Sequence, residues 1–200
     1  MCQMNSSSSS SSPAPATAAA PTCECGGHEA PAHGPGRVVP ARHELEMPEV
    51  PFASRRVLEV AGDAGLRELT RRHHELLRAS EIGHLFTADD LAFAALIERV
   101  ADYVVETCGG PALFTPTHGD TCMRVRHFPF TIDERGREVW LEMLFQAMGE
   151  TAFPVEIREE YWAWMEPFSL RMINRRTTKT QPVRLPYALA CIRFGAAGRP

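Results

Sequence analysis

The residues best suited to chemistry lie in one central run, Met123-Arg124-Val125-Arg126-His127-Phe128-Pro129-Phe130. Its histidine offers a neutral imidazole, a good ligand for transition metals. Phe128, Phe130 and the nearby Ile132 supply apolar contact for a flat ring system. Arg124 and Arg126 carry fixed charges and planar donors suited to carboxylates. Pro129, which has no N–H, stops a short helix just after the histidine. The chemistry implied is a metal inside a flat, carboxylate-bearing macrocycle, held by one imidazole. A histidine among apolar residues is more often a packed core residue, so the surrounding elements must decide.

A second cluster, Cys23-Glu24-Cys25-Gly26-Gly27-His28 with His33, has the donor types for a soft metal. One residue between the cysteines is a poor zinc spacing and no second pair follows, so it reads as part of an unstructured tail. The six cysteines (Cys2, Cys23, Cys25, Cys108, Cys122 and Cys191) are scattered, which argues against a disulfide framework and for reduced thiols. Cys108 and Cys122 flank the central run and read as small hydrophobes.

The elements that must position His127 are helical. Residues 1–56 hold a serine run, Ser6 to Ser12, followed by alternating Pro and Ala, and read as a disordered extension. Residues 57–176 read as one folded domain and 177–200 as a tail without an assignable element. Leu66, Leu69, His73, Leu76 and Leu77 share one face of a first helix. After a corner at Leu85-Phe86, Asp89 or Asp90 can cap a second helix striped with Leu96, Val100, Tyr103, Val104 and Thr107. Gly109-Gly110-Pro111 ends it. Residues 112–132 are irregular, with one or two helical turns before His127. Asp133 can cap a third helix with Val139, Trp140, Met143, Leu144 and Ala147 inward, and Pro154 opens a fourth, where Pro167 should produce a kink. No strand pair appears, so the fold class is all-α.

The net charge of -4 and the absence of basic runs longer than pairs argue against nucleic acid. No apolar run reaches the ~18 residues a membrane span needs. The N-terminus lacks a basic region followed by an apolar stretch, so a secretory signal is not expected and the cytoplasm is the default location.

With these residues in view the chain resembles group II truncated haemoglobins. The resemblance runs through Gly109-Gly110-Pro111-Ala112-Leu113-Phe114, His118-Gly119, the central run through Thr131-Ile132, and Trp140-Leu141. Gly62-Asp63-Ala64-Gly65-Leu66, Leu85-Phe86 and Met172-Ile173-Asn174 add weaker matches, so it spans about Leu58 to Arg176. It implies a globin-like two-over-two helical sandwich holding haem b. His127 would be the proximal ligand of the iron. Phe86, Leu96, Val100, Tyr103, Val104, Phe114, Met123, Arg124, Arg126, Phe130, Ile132 and Trp140 would line the haem. Trp140 and His73 would contact a bound diatomic ligand. Counting forward from Phe86 instead of back from Gly109 puts Phe93 and Ile97 in place of Leu96 and Val100; the stripe that continues into Tyr103 favours the latter.

Two departures stand out. Arg72-His73 occupies the place of the family's Phe-Tyr, so His73 could donate a hydrogen bond or ligate iron, while Arg72 must turn outward or approach a propionate. Asp120-Thr121 replaces His-Pro, although Asp120 can still cap the turn before His127. The resemblance implies reversible binding of oxygen, nitric oxide or carbon monoxide, with oxygen transport as one use, rather than catalysis. A haem enzyme for peroxide or nitric oxide detoxification is an alternative. It would need an external reductase, since no flavin or nicotinamide motif is present. A haem-free globin serving as a sensor or interaction domain is a third reading. Candidate partners are therefore a gas, a reductase and a second copy of the chain as a homodimer, with neither nucleic acid nor membrane.

Overall fold

The computed structural model describes residues 45–119 and 122–195. The Cys23–His33 cluster, most of the serine-rich extension and the expected cap Asp120 lie outside them. Among the described residues every regular element is a helix, in keeping with the all-α expectation. The order is α1 (Arg55–Ala79), a 3-10 turn (Gly83–Leu85), α2 (Asp90–Thr107), α3 (Thr115–His118), α4 (Met123–Arg126), α5 (Glu134–Glu150), α6 (Val155–Met172) and α7 (Tyr187–Gly195). No described helix is long and apolar enough to cross a membrane.

Local chemistry sets the helix starts. Free N–H groups at a helix start need acceptors. Ser54 accepts from Arg56 N, Asp89 from Leu91 N and Ala92 N, and Asp133 from Gly136 N. α1 begins earlier than the apolar spacing suggests and breaks at Gly62, whose φ of 71° and ψ of 167° are non-helical. That left-handed φ suits glycine, which has no Cβ to clash. α2 ends where Gly110 N–H reaches the Val105 carbonyl at 3.0 Å, and a Cβ there would lie 2.8 Å from the same oxygen. α6 runs on through Pro167 as one helix, Val155–Met172. Trp162, Trp164, Met165 and Leu170 on either side of Pro167 are buried, so packing holds the helix where one backbone bond is lost.

α1 packs against α2, α5 and α6, and α5 packs against α6. Leu66, Leu69, Val105, Leu141, Leu144, Met148, Ile157 and Trp162 form the fully buried centre. A polar bolt crosses it. Arg137 on α5 meets Glu166 on α6 at 2.5 Å, with 4% and 3% of the side chains exposed. Arg184 and the Leu185 N–H also reach Glu166, while the Trp162 indole N–H donates to the Leu185 carbonyl at 2.7 Å. The stretch beyond Thr177, unassigned from sequence, is thereby drawn onto α5 and α6, and α7 seats Tyr187 and Phe194 against Phe145. At the other end Leu45 packs on Leu170 and Ile173, so the chain is packed before α1 begins.

One residue at the end of α6 organises the segment around His127. Asn174 donates from Nδ2 to the carbonyls of His127 (3.0 Å) and Phe130 (2.7 Å) and accepts from Ile132 N at 3.0 Å. The backbone N–H groups of Asn174 and Arg175 both donate to the Ile132 carbonyl. Two residues later Glu134 accepts from Arg176 Nε (2.5 Å), Thr177 N (2.9 Å) and Thr177 Oγ1 (2.6 Å). Burial alone would raise the Glu134 carboxyl, but these donors outweigh it and bring it down to about 2.

Two predictions follow from this junction. Asn174→Ala should cost about 1–3 kcal/mol, because the half-buried Ile132 N–H loses its acceptor and two carbonyls lose a donor. Calorimetry should show a lower Tm, and hydrogen exchange should be faster at Ile132; an unchanged Ile132 rate would contradict the clamp. Glu134 has a folded pKa below its unfolded value. Its contribution is therefore present above the unfolded value of ~4.3 and lost as pH falls toward the folded one. Urea unfolding between pH ~5 and ~2.5 should show a flatter acid limb for Glu134→Gln than for the wild type.

Candidate functional site

α4 is a single turn, and His127 caps its C-terminal end with φ −94° and ψ −2°. Its Nδ1–H donates to the Met123 carbonyl four residues back, at 2.6 Å. A carbonyl can only accept, so in the neutral ring the proton is on Nδ1 and Nε2 carries a bare lone pair. Asn174 holds the same residue by its carbonyl, so ring and backbone are both anchored. Arg124 donates to the carbonyls of Arg171 and Ile173 at the end of α6, and its guanidinium lies 5.7 Å from the Phe128 ring centroid. Arg126 donates to the His118 carbonyl and lies 5.2 Å from the centroid of Phe114. These guanidinium groups thus tie the turn to its neighbours. Val125, Phe128 and Phe130 are left exposed in the same run as the imidazole, an apolar surface next to a nitrogen with a bare lone pair.

Across the site α1, α2 and α5 form a second wall. His73, His74, Val100, Val104, Trp140 and Thr70 border a cavity of about 30 Å³. His73 is 4% exposed and donates from Nε2 to the Trp140 carbonyl at 3.1 Å, its ring 4.7 Å from the indole at an interplanar angle of 75°. His74 donates from Nδ1 to the Thr70 carbonyl at 2.8 Å, which leaves its Nε2 as an acceptor. His74 lies edge-on to Phe86, which in turn lies edge-on to Phe93. The His127 ring adds a small electrostatic influence on His74. Arg72 turns outward to Glu150 (2.5 Å) and Glu75 (3.2 Å), so the pair on the cavity wall is His73 and His74.

Other residues singled out from sequence fall on both sides of this region. Val100 and Val104 line the cavity, while Leu96 is half-buried one turn earlier. Phe93 and Ile97, the alternative pair, are buried, and Phe93 lies under the Arg78 guanidinium. Tyr103 and Phe114 are packed against each other, and Tyr103 also meets Trp164 and Phe168. Met123 and Ile132 are half-buried beside α4 and before α5. Sequence reasoning gave no role to His74, Thr70, Tyr161 or Met165, all of which border the cavity. The four-residue step from Thr70 to His74 places those two on one helix face, a signal that was there to be used.

Burial lowers the pKa of His127, while its bond to Met123 opposes the shift. Burial, then the neighbouring His74, holds His73 well below the ordinary histidine range. Burial likewise lowers His74, aided by His127 and opposed by the Thr70 carbonyl. All three are therefore neutral near pH 7, the form in which imidazole binds metals. Burial pushes the Cys108 thiol up to about 12, which leaves it unreactive. Among the described residues no group of three or more His, Cys, Asp or Glu side chains gathers to hold a bare ion. A metal on His127 would then need most of its ligands from a bound group.

Comparison with known proteins agrees with this geometry. The family profile described as bacterial-like globin matches residues 59–174. The group 2 truncated hemoglobin YjbI of Bacillus subtilis is 27% identical over 117 residues, covering 58% of this chain and 87% of that protein. The structure of phosphate-bound Hell's gate globin IV superposes with a TM-score of 0.73 at 45% identity, covering 80% of this chain and 99% of that one. The truncated oxygen-avid haemoglobin of Bacillus subtilis superposes with a TM-score of 0.55 at 26% identity, covering 59% of this chain and 98% of its own. Helices without strands among the described residues, a histidine ending a one-turn helix and a matched stretch of more than half the chain lead to one conclusion: this chain belongs to the bacterial-like globin family, as a truncated haemoglobin of group II type.

Proposed function

We propose that the chain binds haem b through His127 and takes a diatomic gas, oxygen foremost, beside Trp140 and His74. Membership of the globin family implies haem as cofactor and a diatomic gas as ligand. The observation that carries the assignment to His127 is its 2.6 Å bond to Met123. Metal-ligating histidines commonly donate their other N–H to a carbonyl, which fixes the tautomer and makes the free nitrogen more basic. The exposed faces of Phe128 and Phe130 fit an apolar macrocycle beside it. When bound, haem would supply an iron that His127 could hold and that could take a gas.

The remaining work falls to the chain. Trp140 carries an obligate N–H donor on the cavity wall and can hydrogen-bond the gas. His73 spends its Nε2–H on the Trp140 carbonyl, so it acts on the ligand by holding Trp140 in place. His74, protonated on Nδ1, presents an acceptor and closes the wall against Phe86. Val100 and Val104 keep the space apolar, which disfavours loss of the gas as a charged species. The Bacillus subtilis relative is described as oxygen-avid, which is in line with this reading.

Visible spectra of the purified protein, reduced with and without carbon monoxide, test the assignment alongside His127→Ala. The wild type should show a Soret band that shifts with the gas, and the variant should lose or displace it while keeping its helical circular dichroism. Lack of a Soret band in protein from haem-replete cells would end the haem reading, and an unchanged spectrum in His127→Ala would move the ligand elsewhere. Trp140→Phe removes one donor, a loss of about 1 kcal/mol, so stopped-flow oxygen dissociation should accelerate by roughly five-fold.

A further inference from the structure

Thr70 is 4% exposed, and its Oγ1 has no hydrogen-bond partner among the described residues. A threonine inside a helix ordinarily bonds back to the carbonyl four residues earlier, and this one does not. It sits on α1 one turn before the histidine pair, on the wall of the cavity that His73, His74 and Trp140 also border. That cavity of about 30 Å³ exceeds the ~10–15 Å³ one water requires. A second polar atom is available there. With its Nε2–H committed to the Trp140 carbonyl, His73 has Nδ1 as an acceptor.

We propose that this cavity is a binding site for a single ordered water, held between the Thr70 hydroxyl and His73 Nδ1. The water accepts a hydrogen bond from the Thr70 hydroxyl and donates one to the imidazole, so an orphaned donor and a buried acceptor are satisfied by one molecule. It also locks His73 in the tautomer that grips the Trp140 carbonyl. The site itself stands apart from the haem reading. Its effect on a gas rests on that reading: a gas beside Trp140 and His74 would meet the water in the cavity they share.

Thr70→Val and Thr70→Ser in the full-length protein as purified test this. Valine has nearly the same shape and no hydroxyl, while serine keeps the hydroxyl. If the water is held, a crystal structure of the wild type shows its density between Thr70 and His73. Thr70→Val should lower the Tm by roughly 2–4 °C, and Thr70→Ser should retain the density. If the hydroxyl is dry, removing it relieves a buried unsatisfied group, and Thr70→Val melts at or above the wild-type temperature. That result, or a dry cavity in the wild-type crystal, overturns the proposal. Should Thr70→Val not fold, the wild-type and Thr70→Ser densities decide. A protein with no Soret band fails the haem reading while the melting and density results still judge the water.

Discussion

An imidazole presents one lone pair only when its other nitrogen keeps the proton, and the Met123 carbonyl decides which nitrogen that is in His127. Much of the structure exists to hold that carbonyl and that ring in place. α4 is one turn, too short to be stable alone. Its support comes from the end of α6, through Asn174 on the His127 side and Arg124 reaching the Arg171 and Ile173 carbonyls. α6 is bolted to α5 by Arg137 and Glu166, and α5 carries Trp140. The two sides of the site are thus referenced to one rigid pair of helices.

The buried ion pair at the centre of that arrangement is not an obvious source of stability. Desolvating two charges costs about as much as their attraction returns. What it adds is direction. Glu166 receives Arg137, Arg184 and the Leu185 N–H, so only one seating of the C-terminal stretch on α6 satisfies it. The Trp162 indole bond to the Leu185 carbonyl repeats the choice. Apolar packing of Tyr187 and Phe194 would tolerate small slips of α7, and these polar contacts do not.

What the sequence disclosed was local. Asp89 and Asp133 announce helix starts because a carboxylate two or three residues ahead of free N–H groups has few other uses. The stripe through Val100 and Val104 was legible from its period, and His127 from its company of aromatics and arginines. What stayed hidden was long-range. The partner of His73 is a backbone carbonyl 67 residues away, which no side-chain type reveals. α7 escaped notice because nine residues have little helix-forming strength and its aromatics find their contacts only on α5 and α6. The departure at Arg72 looked awkward because it was read in the register of other globins. The phase of α1 itself, with Leu69, Thr70 and His73 buried, puts Arg72 on the solvent side with Glu150.

That same phase explains why the cavity wall and the core cannot be separated. Leu66, Leu69, Thr70, His73 and Leu77 form one buried stripe, and the polar members interrupt a face that would pack more tightly if it were all leucine. Each interruption carries a desolvation cost. For His73 the Trp140 carbonyl offsets it, and in doing so joins α1 to the helix that bears the indole. For Thr70 no group among the described residues offsets it. A sequence selected for stability alone would have no reason to keep a hydroxyl there. Local rules are expected to break at functional or strained sites, and here the break lies on the wall of the cavity that His73, His74 and Trp140 border.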